Sequence, residues 1–447
     1  MTQKFLKIAQ DLVVKAIKAG ADTAEIYIQD SRDMSVEIVN GQIETMKNAH
    51  AKGLGIRIIK DDGMGYAFSS DFSFTVLDRA VNQAITNASI VAKDPFVNLK
   101  KKQHTYKMLD LYDMEIVETS IDKKINLAKE IENAALAEDK RIKIIENCTY
   151  QDSIYSITLV NSLGIEASNQ GAYCGAYAFL VAEEDGDNQT GFDFQYGLKY
   201  SNLDPVQIGK NAAKKAVRML KADSITTQTA SLVLDPYVAS NFLGVLSAAL
   251  SAEAVQKGRS VFAKKIGDKV ASAKVTIIDD GIMSDGVASA PFDSEGTPCQ
   301  KTVLINKGIL SKYLHNNYTA AKDKVESTGN GMRSSYKSTP EVGTTNFYLC
   351  KGNVSEAELI KGVDNGLYVT EVMGMHTANP ISGDFSVGAA GIWIENGEFK
   401  NPVRGVAIAG NILDLLDSID EVADDLRFFA GNGAPTVRVN EIAISGS

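Results

Sequence analysis

Hydrophobic residues near the N-terminus first recur at helical spacing and then alternate with polar residues. Phe5, Ile8, Leu12 and Ala16 would share one face of a helix over residues 5–19, which Gly20 would end. The same spacing predicts a second helix over residues 73–92. Between the two helices, alternation predicts strands over residues 24–29, 34–39, 43–46, 54–59 and 64–68. Asn40-Gly41 and Asp61-Asp62-Gly63 are hairpin signals, so this region is expected to be antiparallel α+β.

The remaining chain repeats this mixture of helices and alternating segments. After a polar linker over residues 93–112, a helix is predicted over 121–137, and another is predicted from Asp204-Pro205 to residue 220. Strands lie between them, at residues 142–148, 153–160, 165–168, 173–182 and 191–200. A short strand at 231–234 and a helix over 237–254 open a long region rich in strands and glycines. Short helices are expected near 355–365 and 411–419, with a closing strand at 437–444. The pattern predicts an α+β fold rich in antiparallel sheet, divided into segments 1–94, 113–222 and 230–447.

Composition narrows the class of protein. The chain has 447 residues, a formal net charge of −10 and 44% hydrophobic residues. The acidic balance argues against direct binding to nucleic acid. No segment is apolar for long enough to span a membrane, and the N-terminus has no apolar signal core. The four cysteines are far apart and predict free thiols in a reducing compartment, so a cytoplasmic location is expected.

A glycine-rich segment near the C-terminus carries the most specific pattern. Residues 381–397 read I-S-G-D-F-S-V-G-A-A-G-I-W-I-E-N-G. Small residues permit close approach of another backbone. At Gly388 and Gly391, either a Cβ would block an approaching strand or the backbone has a positive φ. Asn396-Gly397 predicts a hairpin turn. The phrase S-G-D-F-S-x-G-A-x-G-x-W-x-E-N-G resembles the signature of the TldD/PmbA family, and it is most similar to the PmbA (TldE) half. That family is associated with peptide cleavage and has been called a modulator of DNA gyrase.

The resemblance also shows what this chain lacks. The TldD half resembles a zinc metallopeptidase, with H-E-x-x-x-H on the helix that opens the C-terminal region and a cysteine near the chain end. Aligned on the following K-G-R-S-V-F, the two histidine positions fall at Leu243 and Ala248, and the catalytic glutamate falls at Gly244. Residues 426–435 contain no cysteine. The resemblance therefore implies no metal, cofactor or catalytic residue in this chain, and zinc in a TldD-type partner.

Other clusters could carry chemistry. The histidines are isolated in the sequence, at His50, His104, His315 and His376. Asp279-Asp280 and the pair Asp293 and Glu295 could form an acid/base pair or a cation site. Turn formation explains the same residues, and a similar D-x-E-G phrase in both halves of the family favours that structural interpretation.

Two loops are candidates for binding an extended peptide by strand addition. One matches the family phrase S-T-G-N-G, and the other is the glycine-rich signature with the histidine before it. The alternative is that both are tight turns within one sheet. The candidate peptide-binding residues are Ser327, Gly329, Asn330, Gly331, His376, Gly383, Asp384, Ser386 and Gly388.

Three functions remain open from the sequence. In the first, the chain is the subunit without metal in a TldD/TldE-like heterodimeric peptidase, where it completes a chamber and holds an unfolded peptide. In the second, it is a peptidase on its own or as a homodimer and uses a site of another kind. In the third, it modulates DNA gyrase by contact with protein. The resemblance predicts a TldD-type partner, and a homodimer when that partner is absent, with no nucleic-acid or membrane partner.

Overall fold

The computed structural model describes residues 2–102 and 105–446, so His104 lies outside the described residues. The predicted α+β class is confirmed. Along the chain, the N-terminal part has one helix, three antiparallel strands and a second helix. The apolar stripe of the first helix, including Phe5 and Leu12, is buried against the sheet. Its elements are α1 (Thr2–Lys18), β1 (Thr23–Val39), β2 (Gln42–Lys60), β3 (Gly63–Ser69) and α2 (Phe74–Ile90).

The middle part has the same ingredients. Ser120 and Asp204 cap two of its helices by accepting hydrogen bonds from backbone N–H groups, and Pro205 occupies the first position of the second. Its elements are α3 (Met114–Glu118), α4 (Ile121–Glu138), β4 (Ile142–Asn161), β5 (Glu166–Glu184), β6 (Asp187–Gly197) and α5 (Pro205–Arg218).

These two parts share one sheet, called here the large sheet, with strand order β3-β2-β1-β4-β5-β6. Strand β1 pairs with β4 from Glu25↔Asn161 to Ile38↔Cys148. The prediction of separate strands was wrong here, because 24–29 merges with 34–39, 43–46 with 54–59, 142–148 with 153–160, and 165–168 with 173–182. Polar residues between the predicted strands look like breaks in a sequence. Pairing with neighbouring strands keeps their backbones extended.

The C-terminal part contains two further six-stranded sheets and a minor two-stranded one. Their orders are β10-β9-β8-β13-β19-β18 and β16-β15-β14-β7-β20-β17, and an extra pairing of β16 with β20 closes five strands of the second into a ring. The first elements are β7 (Gln228–Leu234), α6 (Pro236–Ala249), α7 (Ala252–Gln256), β8 (Ile277–Asp280), β9 (Lys301–Asn306), β10 (Ile309–Leu310), α8 (Asn317–Asp323), β11 (Gly331–Met332), β12 (Glu341–Val342) and β13 (Phe347–Leu349). The last are α9 (Glu356–Lys361), β14 (Asn365–Met373), β15 (Asp384–Glu395), β16 (Glu398–Asn411), α10 (Ile412–Asp417), β17 (Ile419–Val422), β18 (Arg427–Phe429), β19 (Asn432–Ala434) and β20 (Val437–Ser445).

Local signals explain several boundaries in this part. The predicted helix over 237–254 is two helices, because the chain bends at Leu250 and the Ser251 side chain caps α7. Asn396-Gly397 forms the turn between β15 and β16, and both residues have positive φ, as a tight hairpin requires. Cys148, Cys174, Cys299 and Cys350 are free thiols. Within residues 2–102 and 105–446, no helix is both long and apolar enough to cross a membrane.

Candidate functional site

The S-T-G-N-G loop is buried, and its polar groups are bonded within the chain. The Ser327 hydroxyl donates to the carbonyl of His315 at 3.0 Å. Asn330 donates to an Asp279 carboxylate oxygen at 2.7 Å, and the Gly331 N–H donates to Asp293 at 2.8 Å. Gly329 adopts a positive φ next to the backbone of Pro298. The structure therefore places these four candidate residues in an internal polar cluster.

Near that cluster, four buried charged side chains form ion pairs between the C-terminal part and the large sheet. Glu25 and Arg57 are directly opposite each other on β1 and β2, and Arg57 donates to Glu25 at 2.8 and 3.0 Å. Arg57 also donates to Glu295 at 2.9 Å, while Arg333 donates to Glu25 at 2.5 Å. All four side chains are at most 6% exposed. We call Glu25, Arg57, Glu295 and Arg333 the charge quartet; its formal charges cancel.

The carboxylates around the quartet accept backbone hydrogen bonds as a turn requires. Asp293 accepts from the N–H groups of Glu295, Thr297 and Gly331. Burial and the neighbouring Glu295 charge raise the pKa of Asp293 to about 7. Burial likewise raises the pKa of Asp279, although Asn330 and Thr345 donate hydrogen bonds to it. These contacts favour the structural interpretation of both carboxylate clusters.

The second set of candidate residues lies elsewhere, on β15 and the turn before it. Gly383 is buried with positive φ, and Asp384 accepts a hydrogen bond from Asn411 at 3.0 Å. Ser386 and His376 are exposed, and Gly388 is partly exposed. The structure brings Asp384, Ser386 and Gly388 together on one strand, with Gly383 immediately before it and His376 in the preceding turn. It does not join them to the S-T-G-N-G loop by a hydrogen bond among the described residues.

The two glycines of the signature differ in their surroundings. A Cβ on Gly391 would lie 1.9 Å from the Tyr368 carbonyl oxygen of β14, so close strand packing requires glycine there. A Cβ on Gly388 would lie 3.4 Å from the end of the flexible Met373 side chain. Neither glycine has positive φ. Within the chain, a Cβ would therefore clash at Gly391 and would make an ordinary contact at Gly388.

Helix α6 holds Leu243, Gly244 and Ala248, which the sequence resemblance aligns with the zinc motif of the TldD half. Leu243 is buried in the core, Ala248 is exposed and Gly244 is partly exposed. The helix packs against β18 and β19, so the segment that lacks the cysteine lies beside it. Asn432 of β19 is within 3.9 Å of where a Gly244 Cβ would stand. The folded chain thus brings the two regions together, and these positions offer no metal ligand.

The three histidines that the structure describes lie in different surroundings. His50 is paired with Asp30 at 2.7 Å, His315 is buried, and His376 is exposed. Burial lowers the pKa of His315. In the described part of the chain, no group of three or more histidine, cysteine, aspartate or glutamate residues is placed to hold a metal ion.

Next to α6 lies an open cleft that the sequence reasoning missed, and we call it the aromatic cleft. It measures about 470 Å³ and is lined by Tyr177, Ala178, Phe179, Phe192, Phe194, Tyr196, Tyr237 and Glu371. On the large sheet, Phe179 is paired with Phe192 and Tyr177 with Phe194, so these four rings share one face. The alternation of Phe192, Phe194 and Tyr196 along β6 was the available sequence signal.

Ring contacts connect the sheet to the C-terminal part across this cleft. The Tyr237 ring of α6 contacts those of Phe192 and Phe194 at centroid distances of 4.9 and 5.7 Å. Phe429 of β18 lies 5.3 Å from Tyr237 and 5.5 Å from Phe194. The aromatic cleft therefore adjoins the region where α6 meets β18 and β19. It is a concave, mostly apolar surface of a size suited to a ligand.

Models of one protein family match most of the chain. The chain matches the family models of PmbA/TldA metallopeptidase domain 1 at residues 24–88, central domain at 115–220 and C-terminal domain at 227–446. It is 28% identical to the metalloprotease PmbA of Escherichia coli O157:H7 over 449 residues, covering 99% of this chain and 97% of PmbA.

Two solved structures share the whole fold. TM0727 of Thermotoga maritima MSB8, a candidate modulator of a DNA gyrase, is 28% identical with a TM-score of 0.92, covering 99% of this chain and 100% of TM0727. TldE of Thermococcus kodakarensis is 26% identical with a TM-score of 0.91, covering 98% of this chain and 100% of TldE. The chain belongs to the PmbA/TldD family.

Proposed function

We propose that this chain is the PmbA/TldE-type subunit of a TldD/TldE-like heterodimeric peptidase and bears no catalytic metal of its own. The partner supplies zinc and the glutamate that activates water. This chain completes the chamber and helps to hold an unfolded peptide.

The observation that carries the proposal is the composition of α6 where it meets β18 and β19. Leu243, Gly244 and Ala248 stand where the TldD half has its two histidines and its glutamate, and Leu243 is turned into the core. Ala430 lies in the turn between β18 and β19, in the segment that lacks the cysteine. Aliphatic side chains and glycine can neither ligate zinc nor activate water. The hydrolytic step is therefore carried out by the partner and not by this chain.

The aromatic cleft supports a role in holding peptide. Its rings would bury apolar side chains of an unfolded segment, and its floor includes β6, the last strand of the large sheet. An extended peptide can pair with the open edge of such a strand through main-chain hydrogen bonds.

The test is reconstitution with an H-E-x-x-x-H paralogue from the same genome. Each subunit is purified alone and after co-expression, its zinc content is measured, and cleavage of an unfolded peptide is followed by mass spectrometry. We expect co-purification, zinc in the paralogue, and cleavage only when both chains are present. Replacing the paralogue's motif glutamate by glutamine should abolish the cleavage. Cleavage by this chain alone would instead support a stand-alone peptidase.

A further inference from the structure

The aromatic cleft contains one charged side chain among its lining residues, the carboxylate of Glu371 on β14. Glu371 is partly buried, and in the described chain it has neither a hydrogen-bond donor nor an ion-pair partner. Burial raises the pKa of Glu371, and no neighbouring cation offsets that effect. A carboxylate in this position is left to be neutralised by a group from outside the chain.

The lysine that contacts a ring of the cleft already has an ion-pair partner. Lys215 of α5 lies 5.5 Å from the centroid of the Phe192 ring, but its ammonium group is paired with Asp193 at 2.7 Å. Asp193 lies between Phe192 and Phe194 on β6, so its side chain points to the opposite, helix-facing side of the sheet. Lys215 therefore does not neutralise Glu371.

The rings around the cleft favour the same kind of ligand. Phe192, Phe194, Tyr177 and Tyr237 present aromatic surface, on the sheet and on α6, in the cleft that Glu371 also lines. Aromatic faces attract an ammonium or guanidinium group, and the attraction is stronger where water is partly excluded. A lysine or arginine side chain has an apolar stem and a charged end. The rings can contact the stem, and the carboxylate can pair with the charged end.

We infer that the aromatic cleft is a subsite for a lysine or arginine side chain of an extended peptide, with Glu371 as the counter-ion and the rings as the walls. The occupant is a peptide because β6, which lines the cleft, is also the edge strand of the large sheet. An extended peptide that pairs with such an edge directs alternate side chains to the face that carries the rings. This inference rests on the proposed function only for the choice of a peptide as ligand. It gives that peptide a charge preference.

The experiment measures binding to this chain alone by titration calorimetry. The probes are two blocked pentapeptides, acetyl-Ala-Ala-Lys-Ala-Ala-amide and the same peptide with glutamine in place of lysine. The variants are Glu371→Gln, which keeps the shape and removes the charge, and Glu398→Gln, which removes an exposed carboxylate at the β15–β16 hairpin. Thermal melting of both variants shows whether each is folded.

We expect the chain to bind the lysine peptide about tenfold more tightly than the glutamine peptide. Glu371→Gln should abolish that preference and leave binding of the glutamine peptide unchanged, whereas Glu398→Gln should keep it. Equal affinity for the two peptides, no binding of either, or a preference that survives Glu371→Gln would overturn the inference. The proposed function is judged separately by cleavage with the partner, so each can fail without the other.

Discussion

The charge quartet gives the most demanding prediction about what holds the molecule together. Glu295→Gln keeps the size of the side chain and removes one of the four charges. Arg57 then loses its 2.9 Å ion pair with Glu295, and the quartet acquires a net positive charge in a site that is at most 6% exposed. Burial disfavours the charge of Arg57, yet Glu25 and Glu295 together raise its pKa above the ordinary value. An arginine guanidinium is not deprotonated in proteins, so Arg57 stays charged when one carboxylate is removed.

The expected cost follows from this burial. Removing one partner from a buried pair leaves an uncompensated charge and typically destabilises by about 3–5 kcal/mol. The glutamine oxygen can still accept a hydrogen bond from Arg57 or from the Asn317 N–H, which now donates to Glu295 at 2.7 Å. We therefore expect the lower end of that range, about 3 kcal/mol.

Urea unfolding followed by circular dichroism measures the change in the free energy of unfolding. We expect a lower urea concentration at the midpoint and an unchanged dependence of the free energy on urea. The matched control is Glu398→Gln, because Glu398 is 75% exposed and its pair with Lys400 is on the surface. The control should unfold as the natural chain does. If Glu295→Gln shifted the midpoint no more than Glu398→Gln, the quartet would not be what fastens the C-terminal part to the large sheet.

Three further predictions follow from single sites. Gly391→Ala should lower the free energy of unfolding by about 2 kcal/mol or more, while Gly388→Ala should change it by less than about 0.5 kcal/mol; equal effects in thermal melting would contradict the packing described around β14 and β15. The pKa of Asp293 is about 7 when folded, against 3.8 ordinarily, so the folded chain holds a proton that the unfolded chain releases. The stability that this group contributes is therefore present below pH 4 and is lost as the pH rises to 7. The free energy of unfolding should be lower at pH 8 than at pH 5 in the natural chain, and Asp293→Asn should lack this decrease. An equal decrease in both proteins would refute the prediction. The purified chain should hold no stoichiometric zinc, and elemental analysis that found about one zinc per chain would contradict the account of α6.

Local signals in the sequence predicted the elements whose boundaries depend on neighbouring residues. Asp204-Pro205 does begin a helix, and Asn396-Gly397 does form a hairpin turn. The joining of strands into 17- to 20-residue ladders depends on pairing partners that are distant in the chain, such as β1 with β4. Propensity in a short window contains no information about such partners.

The candidate site was harder to predict from the sequence than the strands, because its residues come from distant parts of the chain. The S-T-G-N-G phrase was recognisable as a motif, but its burial next to Asp279 and Asp293 appears only when β8 and two loops are packed together. The aromatic cleft needs β5, β6, α6 and β14, so residues as distant as Tyr177 and Glu371 meet there. Recognition of the family supplied the comparison at Leu243, Gly244 and Ala248, which no periodicity could provide.

Whether this chain acts as the subunit without metal is decided by peptide cleavage with its H-E-x-x-x-H paralogue, each chain alone and the two mixed. We expect the paralogue to hold zinc, neither chain to cleave alone, and the mixture to cleave an unfolded peptide. Cleavage by the paralogue alone at the rate of the mixture, or cleavage by this chain without it, would show that the two chains do not form one peptidase in this way.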